Sequence, residues 1–383
     1  MFITDDIRYV GVNDHELDLF EALYPVPEGV SYKSYIIMDE KIAVMDAVDA
    51  HFGAAWLDSI RDILHGRQPD FLFVHHMEPD HSASIALFMD AFPDAVIVAS
   101  QKAFPMMKAF FGTDYTDRRI IVKEGDKLSL GRHSLTFITA PMVHWPEVIM
   151  TWDETDKVLF TADAFGKFGA LDVASEWACE ARRYYFGIVG KYGAQVQSVL
   201  KKAAALDIRT ICPLHGPILQ ESQLAEALRL YNIWSSYTPE DEGVVIAHAS
   251  VYGNTRTAAE TLADQLRAQG LKVTLHDLTR CDIAEAVEDA FRYDRLVLAA
   301  ATYNADVFPP MRNFLHALTE RGFRSRTIGL VENGSWAPMA AKVMRGMLDA
   351  CKDVTILDPV VTVRSALNEE STAQLNALAE AMK

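Results

Sequence analysis

A short hydrophobic segment followed at once by metal-binding side chains constrains this chain of 383 residues more than any other feature. The segment Phe71–Val74 has the length and apolar character of a buried β-strand. Two imidazoles and two carboxylates follow it, at His76, Glu78, Asp80 and His81. A strand that stops at such residues indicates a sheet whose loops carry the chemistry. Four donors in one loop can reach two metal ions, so the sequence predicts a dinuclear metal site.

Glu78 indicates which metal that site would hold. A zinc hydrolase would normally offer an imidazole at this place in such a motif. A carboxylate makes the site harder and more negatively charged, which favours iron or manganese over zinc. We therefore expect a redox centre rather than a hydrolytic one.

Charge and cysteine content exclude several classes of protein. The formal net charge of −17 argues against nucleic acid and anionic membranes as partners, because both attract cationic surfaces. The four cysteines are scattered and form no Cys-x-x-Cys pair, so this sequence contains no iron–sulfur or rubredoxin segment. The N-terminus is acidic without a signal-peptide pattern, and no apolar stretch is long enough to span a membrane. We expect a cytoplasmic protein.

Residues 1–240 alternate between short strands, turns and helices and predict one domain. Apolar residues recur at helical spacing in two segments, 54–64 and 195–206. The predicted strands are 41–46, 71–74, 95–99, 120–122, 134–140, 158–161 and 210–213. The segment 235–243 is polar, contains proline and glycine, and has no hydrophobic period, which predicts a linker.

Residues 243–383 predict a second domain of a different kind. Its apolar strands alternate with helical segments and lie at 244–249, 272–275, 296–301, 327–331 and 354–357. Buried strands that alternate with helices form a doubly wound parallel sheet. We therefore expect an α/β fold with a five-stranded parallel sheet here.

The first strand of this domain leads into a turn that suits a phosphate group. The candidate binding residues of the turn are Ser250, Tyr252, Gly253, Asn254 and Thr255. They offer hydroxyl donors, free backbone N–H groups and the N-terminus of a helix that we expect from about residue 258. The turn has neither the Walker A pattern nor Gly-x-Gly-x-x-Gly, so a terminal monophosphate fits better than a dinucleotide. Taken alone, it could equally be an ordinary capped start of a helix.

Two further loops lie at the carboxyl ends of strands, where ligands bind in such sheets. Each combines an aromatic residue that can stack on a flat ring with small or polar neighbours. The candidate binding residues are Thr302, Tyr303 and Asn304 in one loop and Asn333, Gly334 and Trp336 in the other. Together with the phosphate turn, these loops resemble the FMN site of the flavodoxin family.

Three more ligand-type residues stand at apparent strand ends in the first domain, at His144, Asp163 and His215. Each alone would more often be a capped turn or a buried, hydrogen-bonded histidine. Their order after the motif of residues 76–81 resembles the metallo-β-lactamase fold in its redox variant. Fused to a flavodoxin-like domain, this chain resembles a flavodiiron protein, an A-type flavoprotein, over nearly its whole length. The resemblance implies an αββα sandwich followed by the flavodoxin-like sheet.

The resemblance also implies a set of metal ligands for a diiron centre. It places His76, Glu78 and His144 on one iron, Asp80, His81 and His215 on the other, and Asp163 between them. His75 matches no ligand of the family, and we expect a structural or supporting role for it. In family members, tyrosines in segments similar to those of Tyr24 and Tyr192 face the substrate pocket. On sequence grounds alone, both tyrosines could simply be packed in the core.

The activity that the resemblance implies is reduction of dioxygen to water, of nitric oxide to nitrous oxide, or of both, in an anaerobe or microaerobe. Electrons would come through FMN from a separate donor, such as rubredoxin or a reduced deazaflavin. The family also implies a head-to-tail homodimer or a dimer of dimers. The sequence does not choose between the two gases or between the donors.

Two other functions stay open at this stage. One is a zinc-dependent hydrolase of the metallo-β-lactamase fold with an accessory flavodoxin domain, against which Glu78 and the flavin site both count. The other is a plain electron carrier with a metal-free first domain, which would be expected to have lost ligand residues. Metal analysis of native protein separates all three functions.

Overall fold

The computed structural model describes residues 1–358 and 360–383. The chain divides into two compact units, Met1–Asn232 and Ile233–Lys383. The segment 235–243 differs from the predicted linker, because a helix continues to Ser236 and a strand begins at Asp241. In the described residues, no helix is both long enough and apolar enough to cross a membrane.

The first unit is built from short strands that form two large sheets and two small hairpins. In chain order its strands are β1 (Ile7–Tyr9), β2 (Val12–Asp14), β3 (Leu19–Phe20), β4 (Tyr24–Pro25), β5 (Val30–Tyr32), β6 (Tyr35–Ile37), β7 (Ala43–Met45), β8 (Phe71–Val74), β9 (Val96–Ser100), β10 (Arg119–Val122), β11 (Lys127–Ser129), β12 (Ser134–Thr139), β13 (Ile149–Asp153), β14 (Val158–Phe160), β15 (Thr210–Cys212) and β16 (Leu219–Gln220). The α-helices are α1 (Gly53–Leu64), α2 (Pro79–Ser82), α3 (Ile85–Ala91), α4 (Ala103–Phe111), α5 (Trp177–Tyr184), α6 (Gly193–Ala203) and α7 (Glu221–Ser236). Short 3-10 turns lie at Ala50–Phe52, Thr116–Arg118 and Gly190–Tyr192, and a π-helical turn lies at Tyr185–Val189.

The core of the first unit lies between its two large sheets. One sheet has the order β1-β6-β7-β8-β9-β10 and the other the order β11-β12-β13-β14-β15-β16. Phe73 of β8 stacks on Phe137 of β12 with 5.6 Å between ring centroids, and Tyr35 of β6 meets Phe160 of β14 at 5.4 Å. Each fully buried side chain of this size contributes about 1.5–3 kcal/mol, so this contact between the sheets stabilises the unit.

Strand β13 is fully buried, yet the sequence did not predict it. Thr151 and Asp153 interrupt its apolar run, and polar residues normally indicate an exposed face. The structure buries both because histidines pair with them. His75 Nε2 lies 2.7 Å from Thr151 Oγ1, and His133 Nδ1 lies 2.8 Å from Asp153 Oδ2.

The strands of this unit bring the predicted ligands together at their ends. The segment 76–81 follows β8, and His144 lies in the loop between β12 and β13. Asp163 follows β14 and His215 follows β15. Because β14 and β15 are parallel neighbours, the segments that leave them emerge side by side.

The second unit holds one parallel sheet with helices on both faces. Its strands are β17 (Asp241–Ala249), β18 (Val273–Asp277), β19 (Tyr293–Tyr303), β20 (Asp306–Val307), β21 (Thr327–Asn333), β22 (Thr355–Ile356) and β23 (Val361–Val363). Its helices are α8 (Asn254–Ala268), α9 (Ile283–Arg292), α10 (Pro309–Glu320), α11 (Ala340–Leu348) and α12 (Glu369–Ala381). The order β18-β17-β19-β21-β22 is that of a flavodoxin-like sheet.

Two details of the second unit differ from the sequence prediction. The fifth strand position is divided between β22 and β23, which pair with successive parts of β21. Helix α8 begins at Asn254 rather than near residue 258, so part of the predicted phosphate turn is the first turn of the helix. Apolar side chains of α8 and α12 pack on one face of the sheet in a core that includes Leu262, Val297 and Leu375.

Candidate metal centre and flavin pocket

Four of the predicted ligands form a first donor group, which consists of His76, Glu78, His144 and Asp163. Glu78 Oε2 lies 3.1 Å from His76 Nε2 and 2.9 Å from His144 Nε2. Asp163 Oδ2 lies 3.0 Å from His144 Nε2. Donor atoms that bind one ion at about 2.1 Å lie about 3 Å apart around it, so these separations suit a shared metal ion.

The other predicted ligands form a second donor group, which consists of Asp80, His81 and His215. The Nε2 atoms of His81 and His215 are 2.9 Å apart, and Asp80 Oδ2 lies 3.3 Å from each of them. His215 Nδ1 donates to the carbonyl oxygen of Ser31 at 2.8 Å. The Nε2 of a neutral His215 therefore carries a lone pair, as a metal ligand must.

Asp163 faces both donor groups. Its Oδ2 lies in the first group, whereas its Oδ1 lies 3.3 Å from His81 Nε2 and 3.9 Å from His215 Nε2 in the second. One oxygen toward each group is the arrangement of a carboxylate that bridges two metal ions. Asp163 is buried, so its charge needs partners close by.

Several oxygens of the two groups suit bound cations. Both carboxylate oxygens of Asp80 and Oδ1 of Asp163 are buried and have no hydrogen-bond partner among the described residues. Leaving a buried charged oxygen without a partner is costly, and a metal ion would satisfy it. Four imidazoles and three carboxylates are ligand types that non-haem iron accepts, so the residues fit a diiron centre.

Electrostatics show how strongly these carboxylates attract positive charge. Burial opposes protonation of His76, but the charge of Asp163 and hydrogen bonds to two glutamates outweigh it and raise the His76 pKa well above its ordinary value. Burial also opposes ionisation of Asp163. The charge of His76 and hydrogen bonds from two other histidines nevertheless hold the Asp163 pKa well below its ordinary value. Metal ions compete with these protons, so metal affinity here depends on pH.

One short loop supplies ligands to both groups. Glu78 has extended backbone (φ −61°, ψ 139°) directly before α2, and Pro79 opens that helix. Proline is well suited to this position because it needs no backbone N–H partner there. The turn leaves Glu78 in the first group and carries Asp80 and His81 into the second.

In the second unit, the three predicted flavin loops surround one cavity of about 610 Å³. All of the predicted binding residues except Gly253 line it. Gly253 lies in the turn itself with φ +98°, and its N–H donates to Ser250 Oγ at 3.1 Å. The first residues of α8 offer free N–H groups to an anion at the same place.

Aromatic side chains at the mouth of this cavity are suited to stack on a flat ring. Tyr252 is 94% exposed and Trp336 is 88% exposed, which is unusual for side chains so large.

Two other predicted binding residues of the cavity form hydrogen bonds within the protein. Thr302 Oγ1 accepts the backbone N–H groups of residues 339 and 340, and the Asn333 side chain hydrogen-bonds the backbone of Ser365.

Comparison with known proteins assigns the chain to a family. The model described as ODP family beta lactamase matches residues 30–216, and the flavodoxin model matches residues 246–347. A nitric oxide reductase of Moorella thermoacetica is 30% identical over 380 residues, which is 94% of this chain and 92% of that protein. This chain belongs to the flavodiiron family. Its cofactors are those of the family, FMN and a diiron centre, and the predicted fold class is confirmed.

Solved structures of flavodiiron proteins have the same fold along the whole chain. Rubredoxin:oxygen oxidoreductase of Desulfovibrio gigas is 26% identical with a TM-score of 0.91, and the match covers 100% of this chain and 97% of that one. The flavodiiron protein of Giardia intestinalis is 24% identical with a TM-score of 0.91, over 99% of this chain and 95% of that one.

Sequence reasoning missed Glu147, which orients the predicted ligand His76. Glu147 Oε1 accepts from His76 Nδ1 at 2.8 Å and from the backbone N–H of Met77 at 2.9 Å. With Nδ1 donating, the Nε2 of His76 is left to bind metal. A carboxylate three residues after His144 was the available signal, but its partner lies far away in the sequence.

Aromatic residues that the sequence did not single out surround the second donor group. The ring of His215 lies 5.4 Å from those of Phe20 and Tyr184 and 6.1 Å from that of Tyr32. Tyr184 is fully buried, and its hydroxyl has no hydrogen-bond partner among the described residues. Beside the first donor group, Trp145 lies 5.2 Å from His76. These rings keep bulk water away from the imidazoles.

Glu21 is a further acidic residue beside the first donor group. It is exposed to solvent overall, but its carboxyl group interacts with Glu78. Burial of the carboxyl group and repulsion by Glu78 raise the pKa of Glu21 to about 7. This carboxyl group is therefore partly protonated at neutral pH.

Of the predicted tyrosines and His75, Tyr24 and His75 have immediate partners outside the set of predicted ligands. Tyr24 Oη donates to the carbonyl oxygen of Gly187 at 2.9 Å. Tyr192 is half-buried directly before α6, and no hydrogen bond or ring contact joins it to a predicted ligand in the described part of the chain. His75 pairs with the buried Asp46 and with Thr151, which fits the supporting role expected for it. The catalytic roles of Tyr24 and Tyr192 stay predictions.

Proposed function

We propose that this protein is an oxidoreductase that reduces dioxygen to water, nitric oxide to nitrous oxide, or both. The position of Asp163, with one oxygen toward each donor group, carries this proposal, because it supports two metal ions side by side. Both reactions consume electrons in even numbers, four for one dioxygen and two for a pair of nitric oxides. Scavenging of these gases in an anaerobe or microaerobe is the biological role that we propose.

The two donor groups suggest which residues would hold each iron. We assign His76, Glu78 and His144 to one iron, Asp80, His81 and His215 to the other, and Asp163 to the bridge between them. The distances of about 3 Å within each group and the unpartnered oxygens of Asp80 support this assignment.

The protein's own residues supply the setting for this chemistry. These residues would hold a diiron centre that would supply gas binding and electron exchange, and the flavin pocket would hold FMN as the source of electrons. The Glu147 carboxylate and the Ser31 carbonyl each accept a hydrogen bond from an imidazole Nδ1–H and so fix the ring orientation. Phe20, Tyr32 and Tyr184 shield the second group from bulk water. We propose that Tyr24 and Tyr192 assist as hydrogen-bond or proton donors.

The flavin pocket is assigned in the same way. We propose that the turn around Gly253 and the start of α8 bind the FMN phosphate, and that the other two loops bind the ring. The full set is Ser250, Tyr252, Gly253, Asn254, Thr255, Thr302, Tyr303, Asn304, Asn333, Gly334 and Trp336. Their arrangement around one cavity supports this assignment.

Rapid mixing of the reduced protein with each gas tests the proposed activity. The iron- and FMN-loaded protein is reduced without oxygen and then mixed with dioxygen or with nitric oxide, while flavin absorbance is followed. We expect rapid reoxidation of the flavin by at least one gas, with water or nitrous oxide as product. Reoxidation by neither gas would refute the activity.

Metal analysis separates this proposal from the zinc hydrolase. We expect about two irons per chain in native protein, together with one FMN. Stoichiometric zinc without iron in catalytically active protein would instead support hydrolysis. Bound FMN with no metal at all would point to an electron carrier.

The electron donor is proposed to be a separate protein or coenzyme. The name of the Desulfovibrio gigas protein supports a rubredoxin as donor. Reduced rubredoxin and a reduced deazaflavin can be compared by the rate at which each reduces the bound flavin. A donor that fails at micromolar concentration is excluded.

The assembly and location are proposed from family resemblance. We propose a head-to-tail homodimer, or a dimer of dimers, in the cytoplasm. Light scattering during size-exclusion chromatography gives the mass directly, and a monomer of 42.7 kDa would contradict the dimer. Cell fractionation tests the location.

A further inference from the structure

A fourth segment, which the sequence did not single out, borders the flavin cavity. Ser365 follows β23 and lines the cavity beside the three predicted loops. Neither the phosphate-binding nor the ring-binding role predicted for the three loops explains a serine at this position. Its position in the cavity lining makes its side chain a candidate contact of the flavin site.

The backbone of Ser365 is held in an unusual conformation. Its φ is +68°, in the left-handed region that residues other than glycine rarely adopt. The side chain of Asn333 clamps it from both sides. Asn333 Nδ2 donates to the Ser365 carbonyl at 3.0 Å, and the Ser365 N–H donates to Asn333 Oδ1 at 3.2 Å. Strained residues that the surroundings hold so firmly are typical of functional sites.

The Ser365 hydroxyl belongs to a hydrogen-bonded pair. Ser365 Oγ donates to Ser335 Oγ at 2.7 Å, and both residues line the flavin cavity. Two hydroxyl groups carry two hydrogens, and this bond uses the one on Ser365. The Ser335 hydrogen is therefore left to be donated to a ligand in the cavity.

We propose that Ser365 is part of the FMN site and that the Ser335 hydroxyl, which the Ser365 hydroxyl holds in place, binds reduced FMN more tightly than oxidised FMN. Reduction adds electron density to the polar edge of the isoalloxazine ring. A hydrogen bond to a more negative acceptor is stronger, so a hydroxyl donor in contact with that edge favours the reduced state. The Asn333 clamp is what keeps the Ser365 hydroxyl in the cavity.

Two substitutions separate the hydroxyl from the backbone strain. Ser365→Ala removes the hydroxyl and keeps the strain, whereas Ser365→Gly removes both. We expect both variants to bind oxidised FMN up to threefold more weakly and reduced FMN about thirtyfold more weakly. The tenfold difference corresponds to a two-electron potential lower by about 30 mV. Ser365→Gly should also melt at a higher temperature than Ser365→Ala.

The measurements use the whole protein and do not depend on gas turnover. Flavin-fluorescence quenching on titrating FMN into flavin-depleted protein gives the affinity for oxidised FMN, and anaerobic redox titration gives the potential. Ser335→Ala should shift the potential in the same direction, and the double variant should add little to either single one.

Ser325 offers a matched control. It is also an exposed serine with positive φ (+56°), it precedes the same strand β21 that Asn333 ends, and it lies outside the cavity. Ser325→Ala should leave FMN affinity and potential unchanged. Unaltered potential in Ser365→Ala or in Ser365→Gly, or an equal shift in Ser325→Ala, would overturn the proposal.

Discussion

Asp163 is the residue on which both donor groups depend. Its two oxygens lie 3.0 Å from His144 and 3.3 Å from His81. The sequence shows which residues are of a type that can bind metal, but it does not show which of them lie next to each other in the fold. His144 Nε2 lies 2.9 Å from Glu78 Oε2, although 66 positions separate the two residues in the chain. Glu147 and Ser31 went unnoticed for the same reason, because their roles arise from contacts with distant histidines.

Asp163→Asn should lower iron content to one ion or less per chain, while FMN content stays unchanged. The amide carries no charge and replaces one oxygen donor with an NH₂ group, so it cannot bridge two cations. Iron and flavin assays on purified protein measure both. Asp153→Asn is a matched control, since Asp153 is also buried and paired with a histidine, His133, but lies outside both donor groups. Full iron in Asp163→Asn would contradict the bridging role.

Lys33→Met should stabilise the protein at pH 7. Lys33 is completely buried, and its Nζ has no hydrogen-bond partner among the described residues. Burial lowers the Lys33 pKa to about 7, although Cys212 opposes this shift slightly. The unfolded chain holds the proton up to a pH of about 10, so the lysine destabilises the fold fully below pH 7 and progressively less as the pH rises.

Urea unfolding of wild type and Lys33→Met at pH 7 and pH 10 measures this effect. We expect a gain of roughly 3–4 kcal/mol at pH 7 and a much smaller gain at pH 10. Because every other titrating group is common to the two proteins, the difference reports on Lys33 itself. A difference in stability that does not change with pH would show that Lys33 keeps an ordinary pKa.

Among the elements, the turn from β17 into α8 joins local sequence to function most directly. A serine, a glycine, an asparagine and a threonine within residues 250–255 predict an anion-binding turn, and the structure places it at the edge of the cavity. The helix starts four residues earlier than predicted. Helix ends are poorly marked in sequences, because capping depends on backbone angles that a propensity does not specify.

Gly253→Ala should weaken FMN binding about tenfold and lower stability by about 1–2 kcal/mol. The added Cβ would meet only the Arg256 guanidinium at 3.8 Å, so the cost comes from the positive φ of +98° rather than from a clash. Fluorescence titration and thermal melting measure the two effects. Gly270→Ala, after the other end of α8 with φ +87°, should lose similar stability but no FMN affinity. Equal loss of FMN affinity in both variants would refute a local role for Gly253.

At the scale of the whole molecule, the chain combines two units with separate cores. We propose domains of 1–240 and 243–383, whereas the contacts of the chain divide it at Asn232 and Ile233. The two boundaries differ by a short segment whose residues form hydrogen bonds and ion pairs with the rest of the second unit. Arg326 donates to the carbonyl oxygen of Tyr237 at 2.9 Å, and Asp241 pairs with Arg292 at 2.8 Å.

A fragment of residues 233–383 should therefore be more stable than one of residues 243–383. The shorter fragment loses the acceptor that Tyr237 provides to the buried Arg326 and the partner of Arg292, a cost of about 2 kcal/mol together. Both fragments should bind FMN, because the cavity lies within residues 250–365. Urea unfolding with matched FMN loading compares them. Equal stability would support a boundary at residue 243.

The sequence by itself determined the kinds of elements and the chemistry available to them. The strand Phe71–Val74, the helix near 53–64 and the alternation after residue 240 depend on periodicity within a few residues. The identity and order of the predicted metal ligands, and the glycine in the predicted phosphate turn, are likewise local properties. Residues that carry strong local signals were therefore predicted close to their observed places.

Only the tertiary structure decided which residues share a site and which polar groups are buried. Strand β13 was not predicted because it contains the polar residues Thr151 and Asp153. The histidines that pair with them and allow their burial lie 76 and 20 positions away in the chain. Lys33 and Ser365 gave no signal, since a buried amine and a strained serine look ordinary until their neighbours are known. Burial and pairing depend on contacts between distant segments, and the free energies that they contribute exist only once the chain has folded.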